Sequence, residues 1–122
     1  MNVRNFEDLR IAVAGIGYVG LSVAVLLSER HEVVAVDVLK ERVRLVNERR
    51  SPIRDRDIEA YLADKELRLT ATVNAAEAYR EADIIVIAVP TNYDTHTNAF
   101  DVSAVETVIE LAQRVNPEAR WW

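Results

Sequence analysis

Apolar runs of strand length alternate along this chain with segments of helical period, the pattern of repeated strand–helix units built on a parallel sheet. Ile11 to Ala14 reads as a first strand. From Val19 the apolar positions Val23, Leu26 and Leu27 recur at helical spacing, with Ser22, Ser28, Glu29 and Arg30 elsewhere on the wheel. "HEVVAVDV" supplies a second strand, Glu32 to Val38, and Leu39, Val43 and Val46 mark one side of a second helix that "RRSPI" ends. A short helix over Asp57 to Ala63 presents Ile58, Tyr61 and Leu62, and "LRLTATV" alternates apolar with polar, as a half-exposed strand at a sheet edge does. Asn74 and Glu77 have the spacing of a capping box for a short helix to Tyr79. "ADIIVIAV" is continuously apolar, as a strand covered on both faces is, and Pro90 closes it. "PTNYDTHTNAFD", residues 90 to 101, reads as a polar loop. Ser103 and Glu106 offer a second capping box, and Val105, Val108, Ile109, Ala112 and Val115 trace a core-facing stripe until Asn116-Pro117 stops the helix. No repeat, low-complexity tract or linker interrupts the pattern, so residues 1–122 read as one domain.

The chain has only three glycines, and all of them fall in "GIGYVG", between the first strand and the first helix. In such a turn the first glycine permits the tight bend. The second removes a Cβ so that backbone can approach a pyrophosphate, and the third lets the helix pack close to the sheet. Gly15, Gly17 and Gly20 fit these roles, and the helix that opens at Tyr18 and Val19 points bare N–H groups and the positive end of its dipole at the phosphates. Ile16 lies between the first two glycines. Asp37 ends the second strand, 22 residues after Gly15, where a carboxylate accepts hydrogen bonds from the adenosine ribose and repels a 2′-phosphate. NAD is thereby favoured over NADP. The bland alternative for Asp37 is a strand-end aspartate that caps the next helix. The fold this implies is Rossmann-type, α/β and doubly wound, with a mostly parallel sheet in the order 3-2-1-4.

Composition narrows the function classes. A chain that is 50% hydrophobic and 29% charged is of the globular class, with a net charge of −5 that argues against a broad nucleic-acid footprint. No apolar run approaches a membrane span and "MNVRNFEDLR" has no apolar signal region, so the expected location is cytoplasmic. With no cysteine, the chain offers no disulfide, thiolate metal site or cysteine nucleophile. His31 and His96 read as surface residues, and no metal site is expected. Arg42, one turn into the second helix, is within reach of the adenosine end or is an ordinary solvated arginine. The loop 90–101 follows the fourth strand at the sheet's carboxyl end, where open α/β sheets place their ligand crevice.

Together "AGIGYVGLS", "VVAVDV", "RRSPI", "VPTNYD" and "FDVSAVETVI", in this order and spacing from Arg10 to Pro117, resemble the amino-terminal domain of UDP-glucose 6-dehydrogenases, within the UDP-glucose/GDP-mannose dehydrogenase family. "SPI" and "PTNYD" followed by "FD" resemble the UDP-glucose branch more than the branch acting on N-acetylated mannosamine sugars. The resemblance implies that Gly15 to Gly20 cradle the NAD pyrophosphate, that Asp37 holds the adenosine ribose, and that Thr91 contacts the cofactor from the end of the fourth strand. It places Arg42 where the family often has a lysine near that ribose. It also implies oxidation of UDP-glucose to UDP-glucuronate with two NAD, by a homo-oligomer whose catalytic cysteine and UDP-sugar contacts lie in a second domain. Read against the family, residues 1–10 look like an extension, and 118–122, ending in two tryptophans, like an atypical tail in place of the fifth strand. No catalytic residue is assigned to these 122 positions. The alternatives are a non-enzymatic nucleotide sensor, an S-adenosylmethionine-dependent methyltransferase, and a dehydrogenase of the same family acting on another nucleotide sugar. The "PTNYD" loop speaks against the first, and the third glycine, suited to a pyrophosphate, against the second.

Overall fold

The computed structural model describes residues 9–64, 66–89, 92–94, 99–101 and 103–121. Its elements run β1 (Arg10–Ala14), α1 (Tyr18–Ser28), β2 (Glu32–Val36), α2 (Lys40–Asn47), α3 (Arg56–Asp64), β3 (Leu69–Thr72), α4 (Ala75–Arg80), β4 (Ile84–Ile87), β5 (Asn92–Asp94), β6 (Ala99–Asp101), α5 (Ser103–Val115) and β7 (Arg120–Trp121). Strands β3, β2, β1 and β4 lie side by side in the expected order, all parallel. The sheet is not truncated there. Arg120 and Trp121 pair in parallel with Ile84 and Ile85, so residues read as an atypical tail form a fifth strand and β4 is flanked on both sides at those positions. Arg10, assigned to an extension by the sequence, opens β1 and pairs with Glu32.

Alternation along β1 sends successive side chains to opposite faces. Ile11 and Val13 join Val33, Ala35, Leu69 and Ala71 under α1, α2 and α3, together with Leu21, Val46, Ile58 and Leu62. Ala12 and Ala14 face the other way with Ile85, and Tyr79 and Ala112 cover them from α4 and α5. The continuous apolar run of β4 has the predicted two-sided burial: Ile85 belongs to one face and Val86 to the other. Burying one such side chain contributes about 1.5–3 kcal/mol, so the two layers hold the carboxyl ends of the strands in fixed register.

Helix α1 is rotated from its expected face. Leu26 is exposed, whereas Gly20, Leu21, Ala24, Val25 and Ser28 are buried. The helix is apolar nearly all round, so periodicity does not select a face; a ridge of small residues four apart, Gly20, Ala24 and Ser28, lets it settle close to the sheet. Ser28 meets its polar obligation locally, its hydroxyl donating to the Val25 carbonyl at 2.9 Å.

Local signals set the starts of α3 and α4. Asn74 caps α4 as its spacing predicts, its side-chain oxygen accepting from the Glu77 N–H, but the return bond to the Glu77 carboxylate comes from the Asn74 side-chain amide, and the Asn74 backbone N–H donates to Thr72 Oγ1 at 3.0 Å instead. Asp55 accepts from the Ile58 N–H and caps α3. At the outer edge of β3, Asn47 imitates a neighbouring strand: its amide donates to the Ala71 carbonyl and its oxygen accepts the Ala71 N–H, at 2.9 and 2.8 Å. This occupies the outward backbone groups of Ala71 and so interrupts an edge otherwise open to pairing with another chain. The segment read as a polar loop after β4 contains an antiparallel ribbon, Asn92–Asp94 against Ala99–Asp101. Alternation too short to register as two strands explains the difference.

Candidate functional site at the glycine turn

The site is built where the first strand turns into the first helix. At Gly15 the backbone adopts φ +107°, and a Cβ there would lie 2.7 Å from the Ala88 carbonyl oxygen of the neighbouring strand end. Conformation and space both demand glycine at this position. A Cβ on Gly20 would fall 2.0 Å from the Gly15 carbonyl oxygen, so the missing side chain is what lets α1 close onto its own turn. Gly17 is different. Its φ of −94° and ψ of −167° suit any residue, and a Cβ built on it meets nothing within 4 Å. Nothing among the described residues requires a glycine there; the space it leaves faces outward.

That space lies at the N-terminus of α1. Gly17 is the N-cap and cannot cap with a side chain, no acidic residue sits in the first turn, and the first intrahelical bond runs from the Leu21 N–H to the Gly17 carbonyl at 2.9 Å. The N–H groups of Tyr18, Val19 and Gly20 therefore have no intrahelical acceptor. Tyr18 and Val19 are exposed beside them. Ile16 contributes differently: its side chain is fully buried in the core, which anchors the turn.

Asp37 ties this turn to the second strand–helix connection. The Ile16 N–H donates to its Oδ2 at 2.9 Å and the Leu39 N–H to its Oδ1 at 2.9 Å. Asp37 does not cap α2, whose N-cap is Leu39 and carries no side-chain cap bond; it anchors the connection just ahead of the helix, and two backbone donors occupy only part of a carboxylate's about four lone-pair sites, which leaves acceptor capacity for a ligand. Arg42 Nη1 lies 3.7 Å from Asp37 Oδ2, so both candidates meet at one place. Thr91 lies outside the described residues.

Sequence reasoning passed over three apolar side chains around Asp37. Val38 is 89% exposed, and Leu39 and Val73 are about half exposed. Val73 follows Thr72, whose carbonyl accepts the Asp37 N–H, so the two loops adjoin. A valine directly after an acidic strand end, Val38, was the available signal. Ala88 was also missed; its small side chain makes room for the approach of α1 to β4 at Gly20. A separate concavity of about 230 Å³ lies on the α4 side of the sheet, lined by residues including Arg10, Glu32, Thr70, Thr72, Glu77 and Glu81, and by none of the glycine turn. Among the described residues no cluster of three metal-ligating side chains occurs, and no helix is long and apolar enough to cross a membrane.

An outward-facing gap at a bare helix N-terminus, beside a carboxylate fixed at the end of β2, suits a dinucleotide whose pyrophosphate meets N–H groups and whose ribose meets an acceptor. Known proteins agree. The chain is 49% identical over 108 residues to a UDP-glucose 6-dehydrogenase of Streptococcus pneumoniae, covering 88% of this chain and 27% of the relative. It is 36% identical over 103 residues to a GDP-mannose 6-dehydrogenase of Pseudomonas aeruginosa, covering 82% of this chain and 23% of the relative. Among solved structures, a GDP-mannose dehydrogenase ternary complex from Pseudomonas aeruginosa superposes with a TM-score of 0.78 at 34% identity, over 88% of this chain and 26% of that one. A UDP-glucose dehydrogenase from the archaeon Pyrobaculum islandicum gives 0.77 at 29% identity, over 93% and 27%. The chain thus spans about a quarter of the length of these relatives. Residues 9–119 match the family described as "UDP-glucose/GDP-mannose dehydrogenase family, NAD binding domain", and the chain belongs to that family, with its glycine turn inside the NAD-binding domain.

Proposed function

We propose that the N–H groups of Tyr18, Val19 and Gly20 hold the pyrophosphate of NAD, that Asp37 accepts hydrogen bonds from the adenosine ribose, and that Val38 and Val73 flank the adenine. The observation that carries this reading is Gly17: a residue free to bear a side chain on conformational and steric grounds, yet bearing none, at the N-terminus of a helix without a side-chain cap. A phosphate approaching that backbone explains the vacancy. Arg42 and Thr91 belong to the same proposal, the first by its position beside Asp37, the second by resemblance alone.

When bound, NAD supplies the acceptor for a hydride. The chain's own residues bind and orient it: α1 offers directed donors and the positive end of its dipole, and Asp37, held by two backbone N–H groups, offers a preset acceptor. In the longer protein of which relatives provide the pattern, we infer oxidation of a nucleotide sugar, UDP-glucose to UDP-glucuronate with two NAD. Identity supports the UDP-glucose branch, at 49% with the pneumococcal enzyme against 36% with the Pseudomonas aeruginosa GDP-mannose enzyme. The covalent step ascribed to a cysteine has no counterpart in these residues, since the chain contains no cysteine.

Calorimetric titration of the chain with NAD and with ADP-ribose tests the binding reading. Saturable binding of both is expected, together with its loss in Gly17→Val, whose branched carbons fill the gap while circular dichroism reports an unchanged fold. Undiminished affinity in a folded Gly17→Val variant overturns the cradle.

A further inference from the structure

Gly15, Gly20 and Ala88 meet at one junction, contributed by the turn, the first turn of α1 and the end of β4. A Cβ built on Gly15 would lie 2.7 Å from the Ala88 carbonyl oxygen, and one built on Gly20 would lie 3.3 Å from the Ala88 Cβ, closer than ordinary van der Waals contact. Ala88 is itself held in place. Its N–H donates to the Ala14 carbonyl at 2.8 Å, which ties the end of β4 to the end of β1. Its methyl group is half-buried and packs on the core beneath α1. Gly20 is therefore approached from one side by the Gly15 carbonyl and from another by a single methyl group on a fixed strand end.

The height of Gly20 above that strand end matters because its N–H is one of the three donors at the bare end of α1. A hydrogen bond tolerates only a narrow range of distance and angle, so a shift of the helix end moves the donors off a phosphate oxygen. Bulk at position 88 would produce such a shift. A single γ atom can be turned to the solvent side of a half-buried residue, whereas the two γ carbons of valine leave only one of the three staggered positions empty.

We propose that Ala88 is a positioning residue for the dinucleotide: its side chain, no larger than a methyl group, sets the height of the α1 N-terminus above β4 and so the placement of the N–H groups that receive the pyrophosphate. The proposal rests on the cofactor reading above and deepens it. Added bulk at this position weakens ligands that carry a pyrophosphate and spares adenosine, which meets the site at Asp37 instead.

The test compares the whole chain with its Ala88→Ser and Ala88→Val variants by two-dimensional ¹H–¹⁵N nuclear magnetic resonance, titrating NAD, inorganic pyrophosphate and adenosine, with thermal melts to show that each is folded. Ala88→Ser, close to alanine in size, keeps the wild-type affinities. Ala88→Val moves the Tyr18, Val19 and Gly20 amide signals before any ligand is added. It also raises the NAD and pyrophosphate dissociation constants by about tenfold or more, equivalent to loss of one charge-assisted contact, while adenosine binds as it does to wild type. Should Ala88→Val not fold, Ala88→Cys carries the same test: it is folded first and then capped as a methyl disulfide, the chain having no other thiol. A folded Ala88→Val or capped Ala88→Cys chain with wild-type NAD affinity, or one in which adenosine weakens as much as pyrophosphate, overturns the role of Ala88 while leaving the NAD reading intact. Binding of neither NAD nor pyrophosphate by the wild type overturns both.

Discussion

Alanine at Gly20 and alanine at Gly17 are the same chemical change made three residues apart, and they should have opposite consequences. At Gly20 the new Cβ would lie 2.0 Å from the Gly15 carbonyl oxygen and 3.0 Å from the carbonyl carbon, against 3.4 Å or more for an ordinary contact. The shortfall of about 1.4 Å falls on backbone, which cannot swing aside as a side chain does. Either α1 lifts from the sheet, loosening Leu21, Ala24 and Val25, or the turn deforms. Overpacking of this kind costs about 1–3 kcal/mol where side chains can adjust, and a backbone clash belongs at the upper end or above. At Gly17 the new Cβ meets nothing and the dihedral angles are ordinary. Gly17→Ala should therefore leave stability unchanged or raise it by about 0.4–1 kcal/mol, by restricting the unfolded chain, while weakening dinucleotide binding. Urea unfolding followed by far-ultraviolet circular dichroism, with an NAD titration of each variant, reads both effects. A Gly20→Ala protein as stable as wild type would refute the packing argument, and a Gly17→Ala protein destabilised by more than about 1 kcal/mol would show that Gly17 serves the fold after all.

Three other outcomes follow from single contacts. Asn116 donates from one amide to the Tyr79, Arg80 and Ala82 carbonyls at 2.9, 3.2 and 2.8 Å, joining the end of α5 to the end of α4; Asn116→Ala should cost about 1–3 kcal/mol, seen as a lowered urea midpoint, and an unchanged midpoint would refute it. Burial pushes the Tyr79 hydroxyl up to about 12 from an ordinary value of 10.0. The folded state thus holds this proton more tightly than the unfolded chain, so the contribution is complete below pH 10 and is lost as pH rises towards 12. Tyr79→Phe should flatten the fall in stability across that window, and an equally steep fall in the variant would assign it to other groups. The purified chain should form no UDP-glucuronate from UDP-glucose and NAD in a chromatographic assay, since it has no thiol to hold the aldehyde-level intermediate for the second hydride transfer; UDP-glucuronate formation would contradict this.

The sheet order and the turn were legible because each rests on local rules that tertiary context does not override. Three glycines between a strand and a helix, with an acid closing the next strand, admit few alternatives, and the capping pairs at Asn74 and Glu77 act within one turn. What was not legible depended on partners distant in sequence. Two residues at Arg120 and Trp121 carry no period of their own, and only the pairing with Ile84 and Ile85 makes them a strand. The buried face of α1 could not be read from a helix apolar on every side; it follows from where Gly20 meets Gly15. The ion pair of Asp37 with Arg42 spans five residues across a strand end and a helix start, and its geometry appears only once the Ile16 and Leu39 N–H groups fix the carboxylate.

The most direct test of the account is to watch each backbone amide while NAD is added to isotopically labelled chain, by two-dimensional ¹H–¹⁵N nuclear magnetic resonance. The N–H groups of Gly17, Tyr18, Val19 and Gly20 should shift together and saturably, followed by those around Asp37 and Val73, and inorganic pyrophosphate should move the first group alone. Shifts confined instead to the concavity around Arg10, Thr70 and Glu77 on the α4 side of the sheet, with the glycine turn unmoved, would contradict the claim that the bare end of α1 holds the dinucleotide.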